Sequence, residues 1–164
     1  YAGFRDRCRR LAKALAAALG VPLVAVGTLD VEAHPYLRLG APVCALIEAG
    51  KRRLYVGKYD GASGLASPGY EVVSPEDLVA SAETSTLFCG EAVFSWSELI
   101  KDRLGPLGVV VRPVPSSRPW SLAALGSKRL AEGDTSDLAT LQPNYLRMPS
   151  IGGPKRRDWT PQQR

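Results

Sequence analysis

The order of apolar segments predicts an α/β domain whose mixed sheet is flanked by helices. Three strand-like runs come first, then helix and strand alternate, giving β-β-β-α-β-α-β-α over residues 43 to 131. Two observations support that class. Thirteen Pro and sixteen Gly imply many turns and argue against a helical bundle. With 45% hydrophobic and 23% charged residues, the chain is too apolar to be disordered and ordinary for a globular domain. At 164 residues, folding buries about two-thirds of the unfolded chain's surface, so a core forms without staples.

The first element is an amphipathic helix over residues 4 to 19. Phe4, Cys8, Leu11, Leu15 and Leu19 recur at spacings of four, three, four and four, which aligns them on one stripe. Arg5, Arg9 and Lys13 fall on the opposite stripe, where Asp6 can pair with Arg10 one turn on. Gly20 supplies a left-handed C-cap and Pro22 prevents continuation. Leu23-Val24-Ala25-Val26 then reads as a short buried strand, followed by a helical or irregular stretch from Leu29 to Leu39. A buried parallel strand needs neighbours on both sides, and nothing upstream provides them. The expectation is a chain that begins inside a domain, truncated at its N-terminus, with the earlier part missing or supplied by another molecule.

From Pro42 the pattern turns to strands. Val43 to Ile47 is continuously apolar, and Arg53 to Tyr59 alternates as a half-exposed strand does. The connection Glu48-Ala49-Gly50-Lys51-Arg52 is of hairpin size. Asp60 to Gly69 reads as a loop, and Tyr70 to Val73 as a third strand. Ser74-Pro75-Glu76-Asp77 starts a helix with a hydroxyl N-cap, Pro at the first position and acids in the first turn. Leu87-Phe88-Cys89 is a strand ending at Gly90. Ser95-Trp96-Ser97-Glu98 forms a capping box for a helix that stops at Gly105. Val109 to Val111 is a strand, and Arg118 to Ala131 a helix ending before Gly133, with Leu122, Leu125 and Leu130 inward. From Ile151 the composition is that of a disordered basic tail.

The chemistry on offer is thin. One histidine, His34, cannot build a zinc site of two or three imidazoles or an H-E-x-x-H hydrolase. A Ser-His-Asp triad would rest wholly on His34, and the G-x-S-x-G elbow is missing. Neither G-x-x-x-x-G-K-[ST] nor G-x-G-x-x-G occurs, and Gly61-Ala62-Ser63-Gly64 sits between strands instead of opening a helix. Glu91 lies at the carboxyl end of a strand, where α/β ligands bind, but has no second carboxylate nearby in sequence. Cys8, Cys44 and Cys89 fall on apolar faces as small core residues, and their odd number without C-x-x-C fits a reducing cytoplasm. The longest uncharged run, Ala14 to Leu29, is 16 residues and carries Gly20 and Pro22, whereas a membrane span needs about 20.

The formal charge of +5 sits at the chain ends. Arg5, Arg7, Arg9, Arg10 and Lys13 outnumber Asp6, and Lys155, Arg156, Arg157 and Arg164 outnumber Asp158. Such ends can contact RNA phosphates by counterion release. A solvated helix face and a disordered tail account for them better, since Trp159 alone offers a stacking ring in the tail.

In order and spacing, these pieces resemble the bacterial TsaB (YeaZ) family of tRNA threonylcarbamoyladenosine biosynthesis. Tyr1-Ala2-Gly3-Phe4-Arg5 is similar to the family's F-T-G-L-R, and Ala12 to Leu23 to its A-K-G-L-A…L-G-I-P-L. Val26 to Leu29 resembles V-S-S-L, and Glu48 to Tyr59 the D-A-R-R-G-E-V-Y…Y hairpin. Val73 to Leu78, Gly90-Glu91-Ala92 and the closing Leu141-Gln142-Pro143-Asn144-Tyr145-Leu146-Arg147 complete the set. The family's upstream half, with its I-D-T-type phosphate turn, has no counterpart. Asp6-Arg7-Cys8-Arg9-Arg10 replaces mostly small residues and adds one position.

The resemblance implies an actin-like (ASKHA, RNase H-like) lobe: residues 1–40 a remnant of the N-terminal lobe, 41–150 the C-terminal lobe, 151–164 the tail. It further implies a non-catalytic, cytoplasmic scaffold subunit with no catalytic, cofactor-binding or metal-binding residues of its own. Its partners would be a catalytic paralogue of the TsaD type, an ATPase-type subunit of the TsaE type and a second copy, with tRNA met only through the complex. Phe4, Cys8, Leu11 and Leu15 are the residues expected to touch a partner. The other function classes open to the chain are an actin-like-fold phosphotransferase or peptidase-like enzyme at Gly90-Glu91, and an RNA-binding module using the basic ends.

Overall fold

A computed structural model describes residues 2–61, 66–112, 114 and 116–143. The expected tail 151–164, residues 144–147 of the closing motif and residues 62–64 of the glycine-rich loop lie outside them, and so does the side chain of Phe4. Helix α1 spans Ala2–Leu19 and α2 Thr28–Ala33. Strands β1 (Val43–Gly50), β2 (Arg53–Tyr59) and β3 (Ala66–Val73) follow, then α3 (Pro75–Ala80), β4 (Thr86–Cys89), α4 (Val93–Leu104), β5 (Gly108–Val110) and α5 (Ser117–Ala131). The strands form one sheet in the order β3-β2-β1-β4-β5. β1 pairs antiparallel with β2 and parallel with β4, so the sheet is mixed about its central strand, as expected.

Alternation along the strands divides the core between the two faces of the sheet. Cys44, Leu46, Leu54, Val56 and Phe88 pack with Leu78, Val93 and Ile100 of α3 and α4. Val43, Ala45, Ile47, Tyr59, Leu87 and Cys89 pack with Leu29 and Ala33 of α2 on the other. Each large apolar side chain fully buried in this way contributes about 1.5–3 kcal/mol relative to exposure. Asp30 of α2 accepts hydrogen bonds from Tyr59 Oη at 2.8 Å and Tyr70 Oη at 2.6 Å, pinning the helix to β2 and β3. Burial, reinforced by that carboxylate, pushes both phenols above their ordinary pKa.

Local signals account for most boundaries. Gly20 has φ +62°, and the Val21 N–H donates to Ala16 O at 3.1 Å, closing α1 with a Schellman turn. Ser74 Oγ accepts from the Asp77 N–H at 3.1 Å and caps α3. The β1–β2 turn places Lys51 at φ 51° and Arg52 at φ 53°, a type I′ arrangement that ordinarily takes Asn-Gly. Lys51→Asn is therefore expected to raise stability by about 0.5–1 kcal/mol, read as an upward shift in the urea midpoint at unchanged m.

Four local expectations are corrected. Leu23–Val26 is not a strand: the segment is half-buried, and its backbone bonds go to Arg129 of α5 and to Ser136 beyond it, not to a sheet. Helix α4 begins at Val93, not at the Ser95 capping box, because the Gly90 turn leads straight into Ala92 and Val93, both fully buried. Leu122 and Leu130 of α5 are exposed, while Ser121 is fully buried against α2. Cys8 is exposed; only Cys44 and Cys89 are core residues, and burial raises both thiols, Cys44 to about 12. In addition, β3 starts at Ala66, inside the expected loop.

Candidate functional site

Helix α1 turns its amphipathicity inside out. Among its described side chains the buried one is the small Ala16, and its charged side faces the rest of the chain. Asp6 holds Arg9 and Arg10 in ion pairs, with the Arg9 side chain only 29% exposed, and Lys13 Nζ donates to Leu141 O at 3.3 Å. These residues line a polar cleft of about 610 Å³ with Ala139, Leu141, Gln142 and Pro143. The opposite stripe is uncovered: Leu11 is 61% exposed, Leu15 52% and Leu19 70%, with Cys8 exposed beside them. The three predicted contact residues whose side chains are described, Cys8, Leu11 and Leu15, therefore share one outward face. The inserted charges do not interrupt it, because Asp6, Arg9, Arg10 and Lys13 lie on the polar side of the helix and Arg7 at the rim of the stripe.

Helix α5 follows the same rule. Its inward contacts are polar, through Arg118, Ser121 and Arg129, and Trp120, Leu122 and Leu130 point outward. His34 Nδ1 shares a hydrogen bond with Ser121 Oγ at 3.2 Å, and its ring packs 5.1 Å from Trp120. Burial, helped by Arg38, lowers its pKa. Ser121 is inaccessible, so the pair joins α2 to α5 and presents no nucleophile to a substrate.

The Gly90–Glu91 turn is occupied by structure. Gly90, at φ +96°, packs onto the β1 backbone at Leu46, and the Ala92 N–H donates to Leu46 O at 3.2 Å. Arg118 lies between two carboxylates, Glu91 at 3.2 Å and the buried Glu32. Glu32 Oε1 has that ion pair and no hydrogen bond aligned with it among the described residues. Burial raises the Glu32 pKa although Arg118 opposes the shift. The sequence separation of 59 positions between Glu32 and Glu91 hid this cluster.

A second cleft, of about 270 Å³, opens where β1 and β4 begin, floored by Cys44, Leu78 and Phe88. Its rim is largely self-paired: Ser81 Oγ donates to Leu78 O, Thr86 Oγ1 to Thr84 O, and Lys58 meets Glu71. Among the described residues, no group of three His, Cys, Asp or Glu could hold a metal ion, and no helix is long and apolar enough to cross a membrane.

The mixed sheet with its flanking helices is part of an actin-like fold. The chain superposes on YeaZ from Pseudomonas aeruginosa with a TM-score of 0.63 at 25% identity, covering 84% of this chain and 65% of that one. It also matches an uncharacterized Pseudomonas aeruginosa protein similar to peptidase YeaZ, with a TM-score of 0.64 at 24% identity, over 85% and 66% of the two chains. In sequence it is 27% identical over 144 residues to the tRNA threonylcarbamoyladenosine biosynthesis protein TsaB of Bacillus subtilis, covering 84% of this chain and 61% of that protein. No protein-family model matches. The chain is thus similar in fold and in sequence to TsaB (YeaZ) proteins, and it spans less than two-thirds of the length of these relatives.

Proposed function

We propose that the chain serves threonylcarbamoyladenosine modification of tRNA as a non-catalytic, cytoplasmic subunit. In this reading the outward stripe of α1 docks a catalytic paralogue of the TsaD type. A TsaE-type ATPase subunit joins the assembly, a second copy of the chain competes for the same face, and tRNA is met only through the complex. Kinship with TsaB supports the pathway. The observation that carries the docking surface is the exposure of Leu11, Leu15 and Leu19 on a helix whose polar side is already occupied. Each leucine fully covered by a partner would contribute about 1.5–3 kcal/mol.

Leu15→Asp is expected to weaken binding to the paralogue at least about tenfold, roughly 1.4 kcal/mol, with the circular dichroism spectrum unchanged. Titration of labelled paralogue by fluorescence anisotropy reads it. Wild-type chain that shows no association at micromolar concentration would sink the proposal. Arg7 at the rim adds a second expectation, for a partner surface that is acidic there: higher salt slows association and leaves dissociation nearly unchanged.

A further inference from the structure

The segment between α1 and α2 leaves the helix half-buried and joins no strand, so its backbone groups must find partners elsewhere. One stretch of chain provides them. The Ser136 N–H donates to Leu23 O at 2.7 Å, and the Ala25 N–H donates to Ser136 Oγ at 3.0 Å. Arg129 Nη1 donates to Ala25 O at 2.5 Å, while its Nε holds Asp134 at 2.6 Å. Immediately downstream, Asp137 Oδ1 accepts from the N–H groups of Ala139 and Thr140, each at 2.7 Å, and from Thr140 Oγ1 at 3.1 Å. That tight turn presents the Leu141 carbonyl to Lys13 on the inward side of α1. Residues 129–141 thus grip α1 at two places, its exit and its polar face.

We propose that residues 129–141 form a brace that sets the orientation of α1, with Arg129, Ser136 and Lys13 as positioning residues for the docking stripe. The function of the brace rests on the docking reading, but its geometry does not. Among the described residues of α1 only Ala16 is buried, so without the brace the leucine stripe would sample many directions. An ordered stripe loses less conformational freedom on binding, so bracing strengthens association without touching the partner.

Distances are measured in the labelled whole chain by itself, and paralogue affinity in the same variants without labels, because Cys8 lies on the docking stripe. Cys8 is exposed whereas Cys44 and Cys89 are buried, so Cys8 and a cysteine introduced by Glu98→Cys accept spin labels selectively. The distribution of distances between the two labels is expected to be narrow in the parent. It should broaden in Ser136→Ala combined with Arg129→Met, with amide exchange at Ala25 at least tenfold faster. Lys13→Met, a milder change, should broaden it less, and Arg129→Lys should restore part of the order. Paralogue affinity should fall about three- to tenfold with the leucines intact. Unchanged distances and exchange overturn the brace whatever the paralogue does. Changed distances with unchanged affinity overturn its role in docking. A parent that is ordered yet does not bind supports the brace and overturns the docking reading instead.

Discussion

Gly90→Ala should cost roughly 3–5 kcal/mol and bring the urea midpoint down to where much of the chain is unfolded under ordinary conditions. Two effects add. At φ +96° a β-carbon strains the backbone, about 1–3 kcal/mol. That carbon would also sit 2.9 Å from the Leu46 amide nitrogen and closer still to its carbonyl oxygen. Leu46 cannot retreat, because it is fully buried in a strand paired on both sides, and its carbonyl accepts from Ala92. Overpacking of this kind adds about 1–3 kcal/mol. Gly20→Ala separates the effects: φ is +62° but nothing lies within 4 Å, so it should cost only about 1 kcal/mol. Similar losses in the two variants would show that the contact with Leu46 is harmless.

Arg118→Met is expected to destabilise by about 2 kcal/mol at pH 8, and by clearly less at pH 5. Removing one partner of a fully buried pair costs about 3–5 kcal/mol, and the effect is smaller here because the Arg118 side chain is 44% exposed. The pH dependence follows from Glu32, whose carboxyl burial holds above the ordinary range, with Arg118 pulling it back and Glu91 pushing it further up. A raised pKa in the folded state means the fold favours the proton. The stability from that proton is complete below the ordinary carboxylate pKa and disappears as pH rises through the folded value. Without Arg118 the folded value climbs further, so the charged, unpaired carboxylate penalises the variant most at alkaline pH. Melting temperatures of parent and variant at pH 5 and 8 read this difference. A deficit independent of pH would mean that only packing had been lost. Glu32→Gln in the variant background should recover most of the pH 8 loss.

Much of the fold was legible in the chain. Apolar runs with period two, the hairpin at Gly50, the hydroxyl cap at Ser74 and the stops at Gly20 and Gly133 are local signals, and each acts where it stands. The leucine spacing of α1 was equally legible as a stripe, but spacing does not say which side a helix buries. Here ion pairs on the polar side, and a carbonyl from residue 141, turn the apolar side outward. The same ambiguity misplaced Leu122 and Leu130, since α5 rests on its Arg118, Ser121 and Arg129 contacts. Leu23–Val26 carries strand-like residues and lacks only a strand beside it, which no local pattern can reveal. The Glu32–Arg118–Glu91 cluster stayed hidden because its three members come from three separate elements.

The position of β1 at the centre of the sheet dictates an order of assembly. β1, β2 and β3 are consecutive and antiparallel, with two and six residues between them in sequence, so their pairing closes short loops. β4 reaches β1 in parallel only after α3 has formed its crossover, and β5 reaches β4 only after α4. A folding chain would pair a three-stranded wing over residues 43 to 73 before β4 and β5 extend its other edge.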